Sequence, residues 1–214
     1  MHAIAQLTKT ARACAAVVGM VSLASLVLQY ALLYALTRDT IGPAAATVRF
    51  FSYFTILSNI GVVLVAVHAI TGRPGFFANA RTRAVVMLYI GVTGCVYLLV
   101  LRHLWQPQGA QWWADSGLHY ATPLLYGSWW LWFALHGRVG WNDLRWWLLF
   151  PAVYLVWALL RGAWVHEYPY PFIDVDRLGA MTVTRNALLV FAPFLLAGAA
   201  LVVIDRMSGR KRRH

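Results

Sequence analysis

The sequence predicts an all-α, polytopic integral membrane protein: one domain, residues 1–214, built as a bundle of six transmembrane helices. The chain is 61% hydrophobic and only 12% charged, which is more apolar surface than a soluble domain of this length can bury. The apolar residues also occur in long blocks, each near the length of about 20 residues that crosses a bilayer core. Because the connections between blocks are short, neighbouring spans are expected to be antiparallel and to pack together.

Six apolar blocks are long enough to be spans. The first block follows Lys9 and Arg12 and is longer than the apolar core of a signal peptide, so we interpret it as a retained span. The predicted spans are 13–36, 49–70, 84–105, 117–135, 146–164 and 186–205.

Basic residues flank the blocks unequally. Most of the 18 Lys and Arg residues lie near the two termini and in the connections at 71–83 and 136–145. The positive-inside rule then predicts an inner (plasma) membrane protein with both termini in the cytoplasm. The same asymmetry accounts for the formal net charge of +11, so no nucleic-acid partner is expected.

The second predicted span begins with an unusual polar pattern. Residues 49–59 read RFFSYFTILSN, with Ser52, Thr55 and Asn59 at i, i+3 and i+7. On one helix this spacing places the three side chains on one stripe. Hydroxyl groups in membrane helices commonly bond a carbonyl one turn earlier or join two helices, and that structural interpretation stays open. The Asn59 amide needs partners in hydrocarbon, so we expect it to face the bundle interior.

The fourth predicted span opens with SGLHYATPLLYGSWW, which places His119 in the same leaflet as Thr55. A histidine there often serves only interfacial packing. Pro123, however, removes a backbone N–H and permits a kink that can open a small polar cavity. A hydroxyl and an imidazole in a dry pocket are the minimum for nucleophilic acyl transfer to an ester. Thr55 as nucleophile and His119 as base are therefore the candidate catalytic pair, with Ser52 or Asn59 supporting the oxyanion.

More ionisable residues are predicted at the same outer level. Arg102 and Arg161 either pair with an acid such as Glu167 and hold the bundle together, or bind the carboxylate or phosphate of a substrate. Glu167 and Asp115 are candidates to orient His119, from their side of the membrane alone.

Scattered outer histidines also permit a metal site, since imidazole and carboxylate are zinc ligands. These histidines have no HxxxH or HxH spacing, so no metal site and no cofactor are predicted; the histidines concerned are His103, His119 and His166.

Three stretches together resemble a known family. RFFSYFTILSN, LHYATPLLYGSWW and RGAWVHEYPYPFIDV are similar in order and spacing to the bacterial branch of the androgen-induced membrane protein family, which includes the androgen-dependent TFPI-regulating protein. Animal members are intramembrane hydrolases that cleave fatty-acid esters of hydroxy fatty acids with a threonine nucleophile and a histidine. The resemblance implies that these two residues are Thr55 and His119.

The function predicted from these patterns is an intramembrane threonine hydrolase whose partner is a membrane lipid ester. The alternative is a non-catalytic multi-pass protein, either a transporter or an assembly partner. A transporter more often shows internal repeats or spans broken by Gly and Pro near the midplane, and neither pattern is evident in the sequence.

Overall fold

A computed structural model describes residues 7–104 and 106–211. All regular structure in these residues is helical, which confirms the helical class. The α-helices are α1 (Lys9–Ile41), α2 (Pro43–Phe51), α3 (Phe54–Thr71), α4 (Ala80–Leu99), α5 (Ala110–Ser116), α6 (Thr122–Phe133), α7 (Trp141–Val165), α8 (Val175–Leu178) and α9 (Ala180–Lys211). Short 3₁₀ turns cover Phe76–Ala78, Leu101–His103 and Pro171–Ile173, and a π-helix covers Gly117–Ala121.

Five of these helices are long and apolar enough to cross a membrane. Many of their large apolar side chains are exposed, among them Leu36 on α1, Trp164 on α7 and Leu196 on α9. Exposed apolar surface of this extent is suited to a bilayer and not to water. These features fit a helical membrane protein. The five segments are Lys9–Ile41, Phe54–Thr71, Ala80–His103, Trp141–Val165 and Ala180–Arg210.

The segment predicted as the fourth span differs from the other five. Residues 110–133 are helical throughout, but the π-helix divides them into α5 and α6. Neither α-helix alone reaches the length of about 20 residues that a bilayer requires. The cause is local: Pro123 has no N–H to donate, and the Thr122 N–H bonds Gly117, five residues earlier.

The start of the second span was predicted wrongly. Residues 49–59 do not form one helix, because α2 ends at Phe51 and α3 begins at Phe54, with Tyr53 extended between them. The Ser52 hydroxyl donates to the carbonyl of Val48 at 2.7 Å, one turn earlier in α2. The stripe of Ser52, Thr55 and Asn59 on one helix is therefore broken, and Ser52 belongs to the end of α2.

The chain divides into two compact units, and the first comprises Met1–Val139 with Asp205–His214. In it, α1 packs against α3, α2, α5 and α6, and α4 packs against α3 and α6. Small residues permit close approach between helices. A Cβ added at Gly19 of α1, for example, would lie 2.8 Å from the Cβ of Ala66 on α3.

The second unit is Gly140–Ile204. Its apolar cluster is formed by Ala158, Ile173 and Val183, surrounded by half-buried aromatic side chains. Asn186 donates to the carbonyl of Phe172 at 3.0 Å, which ties the connection after α7 to α9. The expectation of a single domain stays a prediction.

Candidate active site

Thr55 and His119 lie in contact within the first unit. Thr55 is in the first turn of α3, and its Oγ1 is 3.3 Å from Nε2 of His119 in the π-helix. Thr55 is 6% exposed and the His119 side chain 12% exposed, so the pair is shielded from solvent. The structure thus brings together the two residues for which the sequence predicted catalytic roles, while the roles themselves stay predictions.

The other nitrogen of His119 faces Asp115. Nδ1 lies 3.0 Å from the backbone carbonyl of Asp115 and 3.3 Å from its carboxylate oxygen Oδ1. Both neighbours are acceptors, so the network assigns the proton to Nδ1. Nε2 is then free to accept the hydroxyl proton of Thr55. A hydroxyl, an imidazole and a carboxylate therefore stand in series, which is the arrangement that activates a hydroxyl nucleophile.

Asp115 is itself held in place by Tyr97 of α4. The carboxylate is 4% exposed, and its second oxygen accepts a hydrogen bond from the Tyr97 hydroxyl. The Tyr97 ring also stacks on the His119 ring, with centroids 4.0 Å apart and planes inclined by 16°. One side chain from a neighbouring helix therefore fixes both the acid and the imidazole.

Asn59 connects the two halves of the site. Its Nδ2 donates to the carbonyl of Thr55 at 2.8 Å and to the carbonyl of Leu118 at 3.3 Å. The Leu118 carbonyl lacks its usual helical donor, because the Thr122 N–H bonds Gly117 and Pro123 has no N–H. Asn59 is fully buried, as expected, but its two amide hydrogens serve these carbonyls, so in this arrangement it positions the site and does not face a substrate oxyanion.

A second layer of hydroxyl groups supports α3. Ser22 of α1 donates to Oδ1 of Asn59 at 3.1 Å. Ser58 bonds the Thr55 carbonyl at 3.0 Å and the Thr93 hydroxyl of α4 at 3.1 Å. Sequence reasoning missed Ser22, Thr93 and Tyr97, since nothing in the chain order shows that their helices meet here. The contact between Asp115 and His119 could have been predicted, because Asp115 lies four residues before His119 and this spacing puts both side chains on one helix face.

Other predicted site residues make separate contacts. Nε of Arg102 donates to Nε2 of His103 at 3.1 Å in an exposed turn. In the second unit, Arg161 donates to the Glu167 carbonyl at 3.1 Å and lies 3.8 Å from its carboxylate. That contact matches the structural interpretation, in which Arg161 pairs with Glu167. Arg102 lies in the exposed turn after α4 and Ser52 at the end of α2, both in the first unit, whereas Arg161 lies in the second unit.

The three histidines considered as metal ligands each have their own neighbours. His103 contacts Arg102, His119 contacts Asp115, and Nδ1 of His166 lies 2.8 Å from the Asp176 carboxylate. Within residues 7–104 and 106–211, no group of three or more His, Cys, Asp or Glu side chains is arranged to hold a metal ion.

Comparison with protein families, with characterised proteins and with solved structures gave no match to the chain. The assignment of a function therefore depends on the geometry of the site and on the resemblance of the three sequence stretches.

Proposed function

We propose that the chain is an intramembrane threonine hydrolase that cleaves a lipid ester. The observation that carries the proposal is the buried series of Thr55, His119 and Asp115: Oγ1 of Thr55 lies 3.3 Å from Nε2 of His119, and Nδ1 lies 3.3 Å from the Asp115 carboxylate. The resemblance to the androgen-induced membrane protein family supports a substrate of the type formed by a fatty acid and a hydroxy fatty acid.

In the first half of the reaction, the Thr55 hydroxyl attacks the ester carbonyl while Nε2 of His119 takes its proton. Asp115 keeps the second proton on Nδ1 and stabilises the imidazolium that forms. The tetrahedral intermediate then collapses, the C–O bond to the alcohol breaks, and His119 returns its proton to the departing alkoxide. The products of this half-reaction are the free alcohol and an acyl-Thr55 ester.

In the second half, water replaces the alcohol. His119 removes a proton from the water, the resulting hydroxide attacks the acyl carbonyl, and Thr55 leaves with the proton from His119. Thr55 lies in the first turn of an 18-residue helix. The positive end of the α3 dipole therefore favours the negative charge that develops on the attacked carbonyl oxygen.

The proposal extends to the orientation of the chain in the membrane and to the side from which the substrate enters. Residues 110–133 serve as a sixth span, the termini lie in the cytoplasm, and the substrate enters from the outer leaflet of the inner (plasma) membrane. Because Thr55 is 6% exposed, an ester reaches it only after the surrounding helices separate. Opening of this kind is a common gating step in enzymes.

A fluorophosphonate probe tests the nucleophile directly. We expect the purified protein to be labelled at Thr55, as mapped by peptide mass spectrometry, and to hydrolyse a fluorogenic fatty-acid ester in detergent. Thr55→Ala should abolish both signals. His119→Ala should lower hydrolysis by about 10²- to 10⁴-fold, because a neutral alcohol is a poor nucleophile without a base.

A matched control is available in the same unit. Thr122 is a threonine with a fully buried side chain in α6, and Thr122→Val should leave labelling and hydrolysis intact. Full hydrolysis by the Thr55→Ala protein would refute the proposal. Absence of labelling, together with a Thr55→Ala effect on stability alone, would favour the non-catalytic alternative.

A further inference from the structure

Arg83 is a buried cation, and it forms no ion pair with the residues that the structure describes. It lies in the first turn of α4 and is 5% exposed. Its Nε has no hydrogen-bond partner among the described residues. The guanidinium carbon lies 5.5 Å from the centroid of the Trp129 ring. A cation–π contact offsets only part of the cost of removing a charge from water.

Arg12 carries a second guanidinium with an unsatisfied buried nitrogen. Its Nε is buried, and it too lacks a hydrogen-bond partner within the part of the chain that the structure describes. Arg12 packs against the end of α3, since a Cβ added at Gly72 would lie 3.2 Å from Nη2 of Arg12.

One indole links the two arginines. The Trp129 face receives the guanidinium of Arg83, while its Nε1 donates to the carbonyl of Ala11 at 2.9 Å. Ala11 directly precedes Arg12. Tyr126 adds a bond from its hydroxyl to the Arg83 carbonyl at 3.0 Å. Trp129 of α6 therefore contacts both the start of α4, which carries Arg83, and the start of α1, which carries Arg12.

We propose that Arg83 and Arg12 form a binding site for a phosphate group, and that the group belongs to the headgroup of an anionic lipid. Guanidinium donors match the oxygens of a phosphate, and the buried charge of Arg83 requires a counter-ion. A lipid is favoured as the source because the cluster lies at the ends of membrane-spanning helices, where headgroups are available.

The site is independent of the proposed hydrolase. α3 has 18 residues, so at a rise of about 1.5 Å per residue its two ends are roughly 25 Å apart. Thr55 lies at one end, and Gly72, beside Arg12, lies at the other. Loss of hydrolysis therefore says nothing about this site, and loss of lipid binding says nothing about Thr55.

The test measures lipid retention and thermal unfolding of the purified full-length protein in neutral detergent. Phosphatidylglycerol should be retained at one molecule per chain in native mass spectrometry and should raise the unfolding temperature, whereas phosphatidylcholine should do neither. Arg83→Gln should weaken phosphatidylglycerol binding by about tenfold to a hundredfold, because that is the change expected from losing a hydrogen bond to a charged group. Arg12→Gln should weaken it in the same direction.

Arg81→Gln is the matched control, because Arg81 is exposed two residues away and the substitution changes the net charge equally. It should leave phosphatidylglycerol affinity within about twofold. Equal losses for Arg83→Gln and Arg81→Gln would show that only surface charge matters and would overturn the site. If Arg83→Gln does not fold, the phosphatidylglycerol affinities of Arg12→Gln and Arg81→Gln are compared instead, and equal losses again overturn the site.

Inorganic phosphate distinguishes the source of the anion. If phosphate alone raises the unfolding temperature as much as phosphatidylglycerol does, and no lipid is retained, the site binds free phosphate and the lipid assignment is wrong. If neither phosphate nor phosphatidylglycerol shifts the unfolding temperature of the wild-type protein, no phosphate site exists.

Discussion

Asp115→Asn is the substitution that isolates the contribution of the acid. The change keeps the size of the side chain and removes its charge. The carboxylate oxygen lies 3.3 Å from Nδ1 of His119. At an effective dielectric constant of about 20, a full charge pair at that distance is worth about 5 kcal/mol. This value is an upper limit, because the imidazolium is only partly formed in the transition state and an amide oxygen retains some of the attraction.

We therefore expect kcat to fall by about a hundredfold to a thousandfold, which corresponds to about 3 to 4 kcal/mol of transition-state stabilisation. KM should change little, since the acid does not touch the substrate. The backbone carbonyl of Asp115 still accepts from Nδ1 at 3.0 Å, so the ring keeps its orientation and some activity remains. The assay is hydrolysis of a fluorogenic fatty-acid ester by purified protein, with folding checked by thermal unfolding.

Asp176→Asn provides the control for this experiment. Asp176 also pairs with a histidine, but in an exposed pair with His166 in the second unit, so hydrolysis should be unchanged. The reasoning is refuted if the Asp115→Asn protein keeps more than half of the wild-type kcat while Thr55→Ala is inactive. In that case His119 would act without help from the carboxylate.

Three further predictions concern stability and topology. Asn59→Leu should destabilise the protein by about 1–3 kcal/mol in an unfolding titration, because the Leu118 carbonyl loses its donor; no change would mean that another group serves that carbonyl. Thr122→Val should leave stability equal or raise it by about 1 kcal/mol, because the Thr122 hydroxyl is fully buried and has no partner among the described residues; a clear loss would reveal an unrecognised bond. Reporter fusions at residues 78 and 211 should read cytoplasmic and a fusion at residue 110 external, and an external reading at residue 211 would overturn the six-span topology.

The sequence predicts the helical membrane class well because apolar length is a strong and local signal. Its failures occur where a local effect interrupts a helix. α2 ends at Phe51 inside a stretch that looks continuous, and Pro123 produces a π-helix inside an apolar block. Hydropathy averages over both features and so misses them.

Some residues of the candidate site were predictable from the sequence and others were not. Thr55 and His119 were predicted from residue types and depth, and Asp115 was within reach of the i, i+4 rule. Tyr97 could not be predicted, because its position against His119 depends on how α4 packs on α6 and the π-helix. Partners that come from a distant part of the chain require the three-dimensional packing.

Asn59 and Thr55 should therefore respond differently to substitution, although both lie on α3 at the same site. The Asn59 amide bonds the carbonyl of Thr55 and the carbonyl of Leu118, the residue before His119. Through these two bonds it sets the separation of Thr55 and His119, so under the proposed mechanism its loss should reduce stability and kcat together. The Thr55 hydroxyl lies 3.3 Å from Nε2 of His119, so under the proposed mechanism its truncation should remove activity even where the fold is kept. A Thr55→Ala protein that is as destabilised as Asn59→Leu would place Thr55 among the structural hydrogen bonds of the bundle and remove the reason to call it a nucleophile.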